Sequence, residues 1–184
     1  MPVLADIIKP GLDVVFVGTS VGERSAREAH YYSDPCNSFY RDVRAGGITG
    51  RLLGPEEDER LLEHGIGLTD LARDVVSSDD RALSESNYDR DRLEELIRVN
   101  MPRAVCFNGK RAYEAWAGSE AANWGLQKSR TVGGVAIFVV PSTSGRVRAD
   151  RKFGGRTRRE WFRVLKAWLD GEVRGEADAS LRIV

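Results

Sequence analysis

An α/β domain with a three-layer α/β/α architecture and a mostly parallel central sheet is the fold this sequence predicts. Three observations carry the prediction. Short apolar runs rich in β-branched residues recur at 12–17, 103–109 and 134–141. Helical patterns fall between and after them, and strands that alternate with helices argue for a parallel sheet covered on both faces. Each apolar run ends in glycine and short polar residues, as in "VVFVGTSVG", "AVCFNGK" and "FVVPSTSG". Residues 1–170 are expected to form one domain, and the polar residues 171–184 a frayed tail.

The elements follow in chain order. Residues 12–17 read as the first strand, with "GTSVG" as a polar, glycine-flanked loop after it. Residues 37–45 are expected as a helix, ended by Gly46 and Gly47. "GPEEDERLLEHG" reads as a helix: Pro55 stands in its first turn, acids cluster at its start and Gly65 follows its end. Residues 90–99 form another helix, stopped before Pro102. "RAVCFNG" is a buried strand, "KRAYEAWAG" the helix after it, and "GVAIFVVP" a further strand. From Thr157 a last helix is expected, because Trp161, Val164, Leu165, Trp168 and Leu169 repeat at i, i+3, i+4, i+7 and i+8.

A chain of 184 residues suffices for one domain with a sizeable core. No apolar run reaches the roughly 20 residues needed to span a membrane, and "MPVLADIIKPG" lacks the pattern of a secretory signal. Cys36 and Cys106 are too few for a disulfide framework or a self-contained metal site, so two reduced, partly buried thiols in a cytoplasmic protein are expected. Lys plus Arg balances Asp plus Glu at 28 each, but nine basic residues between Arg146 and Lys166 face only Asp150 and Glu160. That segment is a candidate polyanion-binding surface, with a solvated helix face as the plain alternative.

Open parallel sheets bind ligands beyond the carboxyl ends of their strands. The segments to inspect are therefore "GTSVG", "NGK" and "PSTSG". Asn108, Gly109 and Lys110 precede a helix start, where backbone N–H groups and a nearby lysine suit phosphate. Ser142, Thr143, Ser144 and Gly145 can cradle a backbone phosphate, while Arg146 reaches further. Taken singly, a Ser/Thr/Gly cluster is most often just a turn.

Together, and in this order, several stretches resemble the mismatch-specific uracil-DNA and thymine-DNA glycosylase branch of the uracil-DNA glycosylase superfamily. They are "VVFVGTSVG" (family GINPG after an apolar strand), "AHYYSDPCNSFY" (HHYxGPGNxFW), "LLEHGIGLTDL" (GIGxTN or GIGxTD), "AVCFNGKRAYE", "WGLQ" and "VVPSTSGRVR" (PNPSG or PSSSAR). They span residues 14 to about 148. The resemblance implies an α/β/α fold and a monofunctional DNA glycosylase of base excision repair. Such an enzyme flips a base out of DNA and hydrolyses its N-glycosidic bond with no metal or other cofactor. It further implies a monomer that works on uracil-containing or mismatched DNA, duplex or single-stranded, at the nucleoid.

The resemblance also assigns roles. Unstacking a base costs a few kcal/mol, which phosphate contacts and a plug in the vacated stack offset. Phosphate contacts are expected from Asn108, Gly109, Lys110, Thr143, Ser144, Gly145 and Arg148. Arg146 falls at the plug position, where the bacterial mismatch enzymes carry an apolar wedge and the thymine enzymes an arginine; a plain phosphate contact is the competing role. The base pocket is expected to include Gly18, Thr19, Tyr32, Asn37 and Ser142. Tyr32 aligns with the family's stacking aromatic and Asn37 with its pocket asparagine, against core packing and loop tethering as alternatives. The family's water-positioning asparagine is replaced by Ser20, and the proline after it by Val21. Serine has a shorter reach and is no base by itself. Asp70, closing "GIGLTD", can instead orient water and stabilise an oxocarbenium-like sugar, unless it is only a turn or helix-cap aspartate. His30 lies near the pocket segment with a structural role equally open, and no function is assigned to His64.

Two other classes compete. Ser20 favours a non-catalytic module that binds or senses damaged DNA by holding a flipped base. A nucleotide-binding α/β protein is the third reading, but "GTSVG" is too short for a dinucleotide fingerprint.

Overall fold

The computed structural model describes residues 1–77, 82–118, 122–148 and 150–171. Its centre is a five-stranded sheet in the order β2-β1-β3-β5-β4, built from β1 (Val14–Val21), β2 (Ile66–Val76), β3 (Ala104–Asn108), β4 (Gly125–Val132) and β5 (Val135–Val140). The first four strands of that order run parallel, and β4 is antiparallel to β5. The helices are α1 (Glu23–Glu28), α2 (Phe39–Ala45), α3 (Arg90–Asn100), α4 (Lys110–Ala117) and α5 (Arg158–Leu169). Alternation along each strand sends side chains to opposite faces. On one face Val14, Phe16, Ile66, Leu68 and Phe138 meet α2 and α5. On the other, Val15, Val17, Leu71, Phe107 and Ile137 meet α3 and α4. The predicted three layers are therefore present.

Three local readings change. Residues 55–64 form a 3-10 helix with a break at Glu57, whose carboxylate turns back to accept from Gly54 N–H. "GTSVG" is not a loop, because β1 continues through Val21. It can do so because "IGLTDLARDVV" is an eleven-residue strand that pairs beside it, Gly18 opposite Asp70 and Ser20 opposite Ala72. Asp70 thus lies inside a strand and is neither a turn nor a helix-cap residue. The N-terminal segment covers the outer edge of β2, with Ile7 bridging Leu68. Gly67 permits that crossing: a Cβ there would lie 2.8 Å from Leu12 and 2.9 Å from the Ile7 carbonyl. The tail expected beyond Gly171 lies outside the described residues. Among the described residues no helix is long and apolar enough to cross a membrane.

Aromatic packing links this core to the sheet's carboxyl edge. Phe16 lies 5.1 Å from Phe39, edge to face, and 5.8 Å from Phe162, stacked. Fully burying such a ring contributes about 1.5–3 kcal/mol. Phe39 in turn stacks on Tyr32 at 4.2 Å. A buried strand residue thus fixes α2, and α2 fixes the ring that reaches the cavity described next.

Candidate active site

A cavity of about 730 Å³ opens at the carboxyl ends of β1, β2 and β3. Its wall includes Gly18, Thr19, Ser20, Tyr32, Asn37, Asp70, Asn108, Gly109, Lys110, Ser142, Ser144, Gly145 and Arg146, which the fold gathers from five separate segments. Thr143 and Arg148 are not in that wall. Thr143 is fully buried, and Arg148 is an exposed surface residue whose guanidinium bonds Asp150 at 2.9 and 3.2 Å.

Asp70 is only 4% exposed and shares the sheet face of Gly18 and Phe16. Its carboxylate lies directly over Gly18: a Cβ there would sit 2.2 Å from Oδ1 and 3.7 Å from the Tyr32 hydroxyl. Glycine is needed at this place for close approach. Behind the strand, Arg92 Nη2 donates to the Asp70 carbonyl at 2.6 Å, and Arg92 Nη1 pairs with Asp6 at 3.1 Å. Thr69 Oγ1 donates to the same Asp6 at 2.6 Å. These contacts fix the backbone from which the Asp70 side chain enters the cavity. Burial lowers the proton affinity of Arg92, with the Asp6 charge opposing.

Tyr32 holds φ at 55°, a left-handed conformation that costs a bulky residue about 1–3 kcal/mol. The strain aims its ring into the cavity. Phe39 covers one ring face, so a bound base can meet only the other face or the edge. Its buried hydroxyl makes no hydrogen bond of normal geometry, although Asn108 is near enough to act on it in the direction of lower proton affinity. Burial, and then the Asp70 charge, push the Tyr32 phenol far up, and Tyr31 responds in the same way for the same two leading causes. Both stay neutral at any ordinary pH.

Ser20 donates its hydroxyl to the Ser77 carbonyl at 3.1 Å, which leaves it lone pairs to offer the cavity. Asn37 Oδ1 accepts from Phe39 N–H at 3.0 Å at the start of α2, which directs the amide Nδ2 as the remaining donor. Asn108 spends both ends of its amide on Thr143, donating to Oγ1 at 2.8 Å and accepting from N–H at 3.0 Å. These two residues, expected as DNA contacts, tie the 142–146 loop to β3. Ser38 adds a second tie, with N–H donating to the Thr143 carbonyl at 2.9 Å. A third comes from below: Arg158 Nη1 donates to the Ser142 carbonyl at 2.9 Å, while its Nε lies 2.6 Å from buried Asp42. Gly145 faces Cys36 so closely that a Cβ would lie 2.4 Å from the Cys36 Cβ.

Lys110 at the start of α4 rests its ammonium 4.6 Å over the Trp124 ring. His30 does not line the cavity; its Nδ1 lies 3.2 Å from Asp58, which also accepts from Tyr31 N–H at 2.9 Å. Cys36 is exposed at the rim rather than partly buried, and Cys106 is buried. Sequence reasoning passed over Tyr31, Asp34, Arg111, Trp124 and Phe153, which also line the cavity. "WGLQ" had singled out Trp124 without a role, and only the fold brings Phe153 near it. Among the described residues no three His, Cys, Asp or Glu side chains converge as a metal site.

With this geometry in hand, comparison with known proteins is direct. The family model described as the Uracil DNA glycosylase superfamily matches residues 5–168. Among solved structures, the chain is similar to a Methanosarcina acetivorans protein solved by solution NMR and described as a "putative Uracil DNA glycosylase". The two share 26% identity and a TM-score of 0.59, over 89% of this chain and 96% of that one.

Proposed function

The chain belongs to the uracil DNA glycosylase superfamily, and from that premise we propose that it is a monofunctional uracil-DNA glycosylase of the mismatch-specific, thymine-DNA-glycosylase-like branch. The observation that carries the reading is the buried Asp70 carboxylate in the wall of a cavity that a single flipped nucleotide can enter. Lys110, Arg111 and Arg146 on the same wall supply positive charge for the phosphates beside that nucleotide. The reading treats the protein as acting alone, as a monomer.

In this mechanism the extruded base enters against the free side of Tyr32, and Asn37 Nδ2 donates to a base carbonyl. The bond between the sugar C1′ and the base nitrogen breaks, and its electron pair leaves with the base. Positive charge develops on the sugar as it does so. The Asp70 carboxylate stabilises that charge and orients a water, which attacks C1′ and gives its proton to the carboxylate, from where a proton passes to the uracil anion. Ser20, with its proton held by Ser77, accepts a hydrogen bond from the same water. Tyr32 stays neutral and cannot compete with Asp70 for that proton. The products are free uracil and an abasic site in an intact strand. Thymine opposite guanine is a second substrate of the same pocket.

The test is incubation with a uracil-containing duplex in EDTA, followed by hot alkali. Strand scission at uracil only after alkali is the expected result. Absence of scission at uracil, mismatched thymine and other modified bases, with tight binding retained, supports a damage-sensing module instead.

A further inference from the structure

Residues 151–156, "RKFGGR", form a tight basic hairpin at the rim of the cavity, within the basic 146–166 segment. Phe153 N–H donates to the Arg156 carbonyl at 2.7 Å, and Arg156 N–H returns to Phe153 at 3.3 Å. Gly154 and Gly155 between them take φ of 58° and 87°, the paired positive values of a two-residue hairpin turn. The turn is anchored. Trp161 Nε1 donates to the Phe153 carbonyl at 2.8 Å, and Phe153 packs edge-on against Trp124 at 5.3 Å. Gly154 sits against Trp124, where a Cβ would come within 3.2 Å. Phe153 and Trp124 both line the cavity, so the hairpin is continuous with it.

The cations here are seated on rings. Arg151 lies 5.3 Å over Phe153, Arg156 5.2 Å over Trp161, and Lys110 4.6 Å over Trp124. A ring face orders a guanidinium without cancelling its charge. Arg148 and Lys152 in the same segment pair with Asp150 and Glu160. Arg151 has no carboxylate partner among the described residues. Three positive heads are thus each ordered on an aromatic ring beside the cavity mouth, a surface that a phosphodiester strand can follow.

We propose that the Arg151–Arg156 hairpin is a second DNA-backbone grip, holding phosphates of the strand that continues past the flipped nucleotide. The inference rests on the glycosylase reading for the place of that nucleotide, but its test does not need excision. Binding of Arg151→Ala/Arg156→Ala and wild type is measured by fluorescence anisotropy on a 25-base-pair undamaged duplex across a salt series. Lys9→Ala, which removes an exposed cation elsewhere, is the control. Losing two phosphate contacts lowers the slope of log K against log salt by about 1.8 and weakens binding about tenfold or more at low salt. Lys9→Ala keeps the wild-type slope. Where loss of the Trp161 contact lowers the melting temperature, Arg151→Gln alone gives the reading, with a slope change of about 0.9. Unchanged slopes in the folded variants overturn the proposal even if wild type excises uracil. A changed slope in a protein that releases no base keeps the grip and overturns the enzyme reading. Wild type that binds no DNA overturns both.

Discussion

Replacing Gly18 by alanine puts a methyl carbon 2.2 Å from Oδ1 of Asp70, against 3.4 Å for ordinary contact. The shortfall is about 1.2 Å. The two strands pair here, Gly18 opposite Asp70, so the backbones cannot part cheaply. The carboxylate is the movable group, and it must swing away from the Gly18 side of the cavity. A misplacement of about 1 Å in a reacting group costs about 10²-fold in rate, or close to 2.7 kcal/mol of transition-state stabilisation. The overpacking itself costs about 1–3 kcal/mol of stability, which leaves a folded protein to measure. Single-turnover excision of uracil from a duplex, with enzyme in excess, isolates the chemical step. Gly18→Ala is expected to fall about 10²-fold, while its affinity for undamaged duplex changes far less. A folded Gly18→Ala protein within about threefold of the wild-type rate refutes the placement of Asp70 at the reacting centre.

Three further outcomes follow from other parts of the molecule. Asp42→Asn leaves the Arg158 guanidinium buried without its counter-charge, at a cost of about 3–5 kcal/mol in urea denaturation; because Arg158 also holds the Ser142 carbonyl, duplex binding weakens as well. Arg146→Ala impairs excision from duplex more than from single-stranded DNA if Arg146 fills the vacated stack, since only a duplex has a stack to restore; equal losses reduce it to a phosphate contact. Glu160, held by Thr157 at the start of α5, has its carboxyl lowered from 4.5 to about 2. Its folded-state value is depressed, so its stabilising contribution is complete above about pH 4.5 and is lost as pH falls toward 2. The melting-temperature gap between wild type and Glu160→Gln is therefore constant near neutrality and closes across that window; a gap that persists at pH 2 contradicts the assignment.

The sequence disclosed the layers and three of the five strands because their signals are local. Apolar β-branched runs mark β1, β3 and β5, and the i, i+3, i+4 stripe marks α5. β2 was illegible because it carries its polar residues inward: Thr69 and Asp70 are buried, and they broke the apolar run that would have announced a strand. β4 left a trace in "VGGV", where Gly133 and Gly134 join it to β5 with positive φ, but its exposed residues 128–131 hid it. The cavity wall was legible where it rests on contiguous motifs. What the motifs could not separate was wall from scaffold. Thr143 and Asn108 look like phosphate ligands in sequence, yet they spend their polar groups on each other, and only the register of β3 against the 142–144 loop reveals it. The Arg151–Arg156 hairpin was visible only as charge, because the ring beneath each cation comes from tertiary contact.

The central claim is that the charge of Asp70, rather than the hydroxyl of Ser20, carries base excision. Asp70→Asn keeps size and hydrogen-bonding capacity but removes the charge. Its single-turnover rate on a uracil duplex, measured beside wild type and Ser20→Ala, tests the claim most directly. Asp70→Asn is expected to lose about 10²–10⁴-fold in rate while binding the duplex as wild type does, and Ser20→Ala to lose much less. An Asp70→Asn protein that excises at near the wild-type rate, beside an inactive Ser20→Ala, contradicts the account and returns the water to the end of β1.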